Sequence, residues 1–488
     1  MNWLRSMVRS AVFIVLLTGC ALSGVATPGE HSEETVSAAV RTARASLRSL
    51  LDTHERGPTA TYQALGLGGG AAAPTFYARC NFTTHWVEET GWNPQARQAL
   101  KLLSRAADVG LAPSRYAEPT LQHLPDSLAR ANGPRRGLQL AVSELRLTDA
   151  LLQYLLHVQR GQLQPHTLTP IAPPDSVTAR LVADQLRQAL QAPELVPALL
   201  RYQPPSRSYR LLQQSWVHLL HATPQDSARL MQDTTAGFRR VAVNLERLRW
   251  EPVPDSEYAV VNIPAYRLQL IRNGQVLRTH RVIVGKPETP TPVLRGRIGV
   301  FVIAPEWRVP YSIAVREFLP ELQQDPGFLA DHHYRLYDWR GNRVNPWRVN
   351  WQRVTPEKFP YSIRQQAGSF NALGNVVFYF PNQQTVFLHD TPARSAFSRP
   401  ERALSHGCVR VDKPLHLAEY LLRRENRAGE LTAMYQHVRQ HEKQRINLVR
   451  PLPIYLQYLT CETDKGQLLF LADIYQLDTA LANALFTY

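Results

Sequence analysis

The chain is poor in cysteine. Four in 488 residues are too few to staple a disulfide scaffold, and none stands with a second Cys or a His pair at the spacing of a structural metal site. Long apolar runs are also scarce. The stretch Ala11-Val12-Phe13-Ile14-Val15-Leu16-Leu17 is too short to cross a bilayer, and no second candidate follows it. No fixed period recurs, which argues against a solenoid. Acidic residues are in deficit: 40 Asp and Glu face 55 Lys and Arg, a formal charge of +15. A nucleic-acid partner is the usual inference from such an excess. No basic cluster with interleaved aromatics and no nucleic-acid motif supports it here. Attraction to an anionic polymer is the milder reading, and a solvated basic surface the plainest.

What is present is globular in composition. Hydrophobic residues at 44% and charged residues at 19% exclude a disordered chain. The length accommodates two or three domains with enough chain to bury a core. The N-terminus reads as a targeting segment, with Arg5 and Arg9 ahead of the apolar run and Leu17-Thr18-Gly19-Cys20 at its end. Residues 20–75 read as a tether or linker, although Val36 to Leu51 is helix-like and Leu65 to Pro74 is a Gly/Ala-rich loop.

Helical patterns then dominate. Asn93-Pro94 is an N-cap with Pro in the first turn, Leu145 to Val158 is a strong helix ended by Gly161, and Val177 to Leu190 and Phe238 to Leu248 follow. After Glu251-Pro252-Val253-Pro254 the pattern turns to strands. Tyr258 to Ile263 is one; Tyr266 to Ile271 and Val276 to Val284 flank the hairpin signal Asn273-Gly274. Arg297 to Ile303, Val376 to Phe380 and a strand from Thr385 into His389 continue the set. The expected fold class is therefore α+β and multidomain: a helical region, then a mostly-β domain. Between Ile303 and Val376 lies an insertion rich in Trp (307, 339, 347, 351) and Arg (335, 340, 343, 348). It reads either as a small satellite core or as a lid.

The chemistry concentrates in Ser405-His406-Gly407-Cys408-Val409-Arg410, together with Leu388-His389-Asp390, whose histidine stands nineteen positions ahead of the cysteine. A thiol is a useful nucleophile only as thiolate, and a nearby imidazole can take its proton. A loop returning from His389 to the sheet would bring the two together. Gly407 would let the backbone approach a reacting carbonyl, with nearby amides as an oxyanion hole. Asp390 would orient the imidazole by its carbonyl or its carboxylate. The bland readings are a buried Cys and a zinc site from His389, His406 and Cys408; neither explains the spaced His and the Gly together. Arg410 is a solvated strand residue, a residue that fixes the loop, or a clamp for a substrate carboxylate.

These residues resemble the signature of the L,D-transpeptidases with a YkuD domain: a His, a spacer, then Ser/Thr-His-Gly-Cys, an apolar residue and Arg or Asn. Asn371-Ala372-Leu373-Gly374 and Phe387 to Pro392 resemble the large, scaffold-bearing (YcbB-like) group, as do Phe76-Tyr77 through Tyr116 and Leu145 through Pro165. The resemblance implies a scaffold over residues 76–250, a catalytic domain over 256–450 with a lid at about 310–370, and a tail over 451–488 packed on one or the other. About twenty residues separate Leu212 from Gly237, too few for the peptidoglycan-binding module seen in many relatives. It further implies a peptidoglycan transpeptidase working through a Cys408 thioester, inhibited by carbapenems and needing no cofactor or metal. Cys408, His389, Gly407 and Asp390 are then the catalytic candidates. Arg410, His406, Ser405, Asn371, Gly374 and Trp307 are the substrate-contacting ones. Partners would be donor and acceptor stem peptides, with cell-wall synthases alongside. Hydrolysis by the same site (carboxypeptidase or endopeptidase), attachment of a protein to peptidoglycan, and an inactive envelope lipoprotein are the rival readings.

The tetrad Leu17-Thr18-Gly19-Cys20 resembles a bacterial lipobox, and with Ala21 instead of Asp after it the resemblance implies a periplasmic protein sorted to the outer membrane; an ordinary cleaved signal or a short membrane anchor is the alternative. We expect mass spectrometry of the mature N-terminus to find an acylated Cys20. An unmodified N-terminus beyond residue 20 would refute the anchor. Cys80 and Cys461 remain, either paired or free.

Overall fold

The computed structural model describes residues 37–52, 64–116, 121, 123, 124, 128, 131–221, 234–250, 253 and 255–487. The apolar N-terminal run and Cys20 lie outside them.

The helical half is built on one long helix, Gly133–Arg160. Leu140, Leu147, Leu151 and Leu155 are fully buried, so the helix is covered on several faces and forms the axis of the core. Pro134 sits in its first turn and Gly161, at φ +87°, ends it. The segment expected as a tether is instead docked on this axis. Helix Ala38–Leu51 buries Ala43 and Leu47 against it. Contact is close because Gly137 has no side chain: a Cβ there would collide with the Thr42 side chain. The Gly/Ala-rich stretch is likewise no linker. The Gly68 and Gly69 amides each donate to the Asp149 carboxylate at 3.0 Å, and Ala72 and Ala73 start a buried helix, Ala72–Arg79. Hydropathy alone missed this, because glycines and alanines bury well where backbone meets a buried carboxylate.

A buried ion pair on helix Thr234–Trp250 ties the helices together. Glu246 accepts from the Gln162 and Leu163 amides. Arg249 donates to Glu246 at 3.3 Å, to the Val158 and Val109 carbonyls and to the Tyr209 hydroxyl. Each charge is compensated by the other and by hydrogen bonds, the condition under which burial is tolerated.

Nine of the described strands form one sheet in the second half: β1 (Glu257–Asn262), β2 (Arg267–Arg272), β3 (Gln275–Gly285), β4 (Leu294–Ile303), β5 (Val376–Tyr379), β6 (Leu388–His389), β7 (Ala403–Ser405), β8 (Val409–Val411) and β9 (Gln444–Gln457). Their order is β7-β3-β8-β6-β5-β4-β9-β1-β2, and β2 pairs back onto β3, so the sheet closes on itself. Val261, Phe301, Phe378, Leu388, Val409 and Ile454 fill the interior, joined by Leu417 and Leu421 of helix Leu415–Arg424. Strand β6 is shorter than the expected run from Thr385, because the Asn382 side chain bonds both the amide and the carbonyl of Val386 and closes a loop there.

The expected end of the catalytic domain at residue 450 is a second correction. β9 runs through Leu452 to Gln457 between β4 and β1, in the middle of the sheet. Beyond it, Cys461–Asp464 pairs with Gln467–Phe470, and helix Asp478–Phe486 follows. These return to the helical half: the Asn244 side chain bonds the Thr460 amide and hydroxyl, and Arg247 meets Asp478 at 2.6 Å. The chain end thus belongs to both halves.

The insertion has its own four-stranded sheet, ordered Trp307–Arg308, Ser362–Gln365, Tyr334–Tyr337, Arg343–Val344. It also has its own core, with Phe318, Leu322, Leu336, Trp351 and Ile363. Trp339 and Trp347 are exposed.

Candidate active site

Strand β6 lies between two partners. It is antiparallel to β5, with His389 opposite Val377, and parallel to β8, with Leu388 opposite Val409 and His389 opposite Arg410. Side chains alternate along a strand. Leu388 and Val409 enter the barrel core, so Phe387, His389, Cys408 and Arg410 share the opposite face. That pairing brings the imidazole beside the strand that carries the thiol. Phe387 lies at a tilt to His389, ring centroids 5.6 Å apart, and Tyr379 lies next to Phe387 at the same separation.

The imidazole is oriented by backbone. His389 Nδ1 lies 2.6 Å from the Asp390 carbonyl oxygen. A carbonyl only accepts, so Nδ1 carries the proton and Nε2 keeps a lone pair. The Asp390 carboxylate does something else. It is fully buried and takes the Asn375 amide (2.9 Å), the Asn375 side chain (3.0 Å), the Thr391 amide (2.8 Å) and the Arg394 guanidinium (3.0 Å). It braces the turn that carries the imidazole rather than the ring itself.

Burial sets the protonation of the pair. It pushes His389 down to about 3, helped by the Arg410 charge and opposed by the backbone partners. It pushes the Cys408 thiol up, against the opposing pull of the Phe387 amide and Arg410. The resting pair is therefore neutral thiol and neutral imidazole, not thiolate and imidazolium. The Arg410 guanidinium is mostly buried, and its Nε is buried with no hydrogen-bond partner. It is a donor available to an anionic group on the same face.

The loop ahead of the cysteine is held from the barrel side. Ser405 Oγ accepts from the Gly407 amide (3.1 Å) and donates to the Cys408 carbonyl (2.6 Å). Gly407 has φ +110°, a conformation side chains disfavour. Thr291 Oγ1 donates to the Gly407 carbonyl, Thr289 Oγ1 to the Ser405 carbonyl, and the Tyr475 hydroxyl to the Gly285 carbonyl beneath. The Gly407 amide is thus spent on Ser405, which leaves the His406 and Cys408 amides as the loop's candidates for an oxyanion hole. His406 points the other way, to the insertion, with Nε2 2.6 Å from Glu317.

Three sequence candidates make structural contacts of their own. The buried Asn371 side chain bonds the carbonyls of Pro305, Gln365 and Gln366 and the Leu373 amide. Gly374, at φ +58°, leaves room for Asp390; a Cβ would sit 2.5 Å from it. Trp307 pairs with Gln365 inside the insertion's sheet and tilts against Tyr334, ring centroids 6.1 Å apart. Thr289, Thr291 and Tyr475 were not foreseen. The Thr-Pro-Thr-Pro run at 289–292 announces only a turn, and the loop it grips lies more than a hundred residues away.

Residues 256–430 match the YkuD family model, the L,D-transpeptidase catalytic domain, and residues 71–215 match the Scaffold domain model. The chain thus carries a YkuD-type L,D-transpeptidase catalytic domain preceded by a Scaffold domain. A Haemophilus influenzae protein named "Putative L,D-transpeptidase" is 38% identical over 242 residues, 49% of this chain and 48% of its own. "L,D-transpeptidase 1" of Mycobacterium tuberculosis is 33% identical over 117 residues, 23% of this chain and 44% of its own. The match thus spans about half the length of these curated relatives. Among solved structures, an L,D-transpeptidase from Mycobacterium smegmatis is 15% identical, covers 41% of this chain and 58% of its own, and has a TM-score of 0.18.

A neutral pair makes a direct prediction. Alkylation of Cys408 by iodoacetamide, followed by peptide mapping, should be slow near neutral pH. It should climb only through and above the ordinary thiol range of about 8.5. A plateau of fast alkylation between about pH 5 and 7 would mean a preformed thiolate–imidazolium pair and contradict this reading.

Proposed function

We propose that the protein is a peptidoglycan L,D-transpeptidase that works through a thioester on Cys408. The observation that carries the reading is the placement of His389 and Cys408 on one face of paired strands, with the imidazole's Nδ1 already committed to a backbone carbonyl. The donor is a stem tetrapeptide. As Cys408 Sγ bonds to the carbonyl of the L-centred diamino residue, its proton passes to His389 Nε2. The carbonyl oxygen becomes an oxyanion held by loop amides. The C–N bond to the terminal D-Ala then breaks, and the imidazolium returns the proton to the departing amine. In the second half an acceptor-stem amine attacks the thioester. It gives its proton to His389, the C–S bond breaks, and the thiolate is reprotonated. Arg410 is suited to a stem carboxylate. The insertion acts as a lid that keeps water from the thioester, which favours amine over hydrolysis. Export and a lipid on Cys20 would put this chemistry in the periplasm, at the outer membrane.

The test is product analysis. Purified protein incubated with disaccharide-tetrapeptide should yield dimers linked between two diamino residues, plus free D-Ala, by mass spectrometry. Cys408→Ala should yield neither. His389→Ala should be slower by about 10²–10⁴-fold, the usual worth of a general base. Tripeptide alone would replace transpeptidation with hydrolysis, and wild-type turnover by His389→Ala would remove the imidazole from the mechanism.

A further inference from the structure

The helix at the edge of the lid is interrupted by one wide turn. It runs Tyr311–Ile313, Ala314–Phe318, Leu319–Gln324, and the Leu319 amide bonds back five residues to the Ala314 carbonyl. Pro320 supplies the cause: it has no N–H for the Arg316 carbonyl, and in a regular turn its ring would clash there. Such single wide turns recur at functional sites. Here Ala314, Phe318, Leu319 and Leu322 enter the lid core, while Glu317 is left facing out. Its carboxylate meets His406 Nε2 at 2.6 Å. His406 is the residue between Ser405 and Gly407, so this contact reaches the nucleophile's loop through a side chain, where Thr289 and Thr291 hold it by its carbonyls. Both partners are partly exposed. An ion pair or hydrogen bond in that setting is weak enough to break and re-form as substrate enters.

We propose that Glu317 is a positioning residue: carried by the lid, it holds His406 and so fixes the Gly407–Cys408 backbone for acyl transfer whenever the lid is shut. The proposal rests on Cys408 and His389 being the reacting pair. Lid closure and nucleophile alignment become one event, so a half-open enzyme holds a thiol that is misaligned as well as wet. A misplacement of about 1 Å at a reacting centre can cost on the order of a hundredfold in rate.

The test uses the full chain and a carbapenem as acylating probe, with the first-order acylation rate read at saturation. Glu317→Ala should lower that rate by on the order of ten- to a hundredfold, with little change in the half-saturating concentration, the pattern of an interaction made in the transition state. The lid core should survive, since Glu317 is exposed. Glu317→Gln, which can still hydrogen-bond His406, should recover most of the rate. Glu317→Ala combined with His406→Asn should be no slower than His406→Asn alone. A wild-type rate in Glu317→Ala, or effects that multiply in the double variant, would overturn the positioning role while leaving the function standing. Failure of the wild-type enzyme to acylate at all would instead overturn the reading of the reacting pair.

Discussion

The site depends on one pairing of backbone. Strands β6 and β8 are short, parallel and adjacent, with Leu388 opposite Val409 and His389 opposite Arg410. A slip of one residue would turn His389 into the barrel core and Leu388 out of it. The buried leucine and valine therefore hold the register by the cost of exposing them, roughly 1.5–3 kcal/mol per side chain. The chemistry borrows that register. Packing of two apolar side chains is enough to bring the imidazole and thiol strands together.

Around this pairing the structure divides its labour. Backbone does the orienting: the Asp390 carbonyl sets the tautomer of His389, and Gly407's positive φ shapes the loop. Side chains brace the backbone, with the Asp390 carboxylate beneath one strand end and Thr289, Thr291 and Ser405 around the other. Burial then keeps both reacting groups uncharged at rest. A neutral thiol is shielded from adventitious oxidants, which attack thiolates. The scaffold reaches the site indirectly. The terminal segment after β9 binds helix Thr234–Trp250 through Thr460 and Asp478, and between these anchor points and the reacting loop it presents Tyr475.

Much of this was legible in the sequence for definite reasons. Helices with one apolar stripe, the Asn273-Gly274 hairpin and the Ser-His-Gly-Cys stretch are local signals, legible without reference to a distant partner. The expectations that failed were those in which a residue's role depends on a distant partner. Gly68 and Gly69 read as linker because Asp149 lies eighty residues on. The conspicuous motif around Asn371 gives no hint that three carbonyls consume its amide. Residues 451–457 read as tail because strand order in a closed sheet is not written in chain order. Glu317 carried no signal, since an exposed glutamate on a helix is the commonest of surface residues.

The central claim is that Cys408, served by His389, is the residue that becomes acylated. The most direct measurement is the mass of the protein trapped with a carbapenem, followed by mapping of the adduct. The account predicts a gain of one drug mass located on the peptide containing Cys408, absent in Cys408→Ala. An adduct on Cys80 or Cys461, or one that persists in Cys408→Ala, would contradict it.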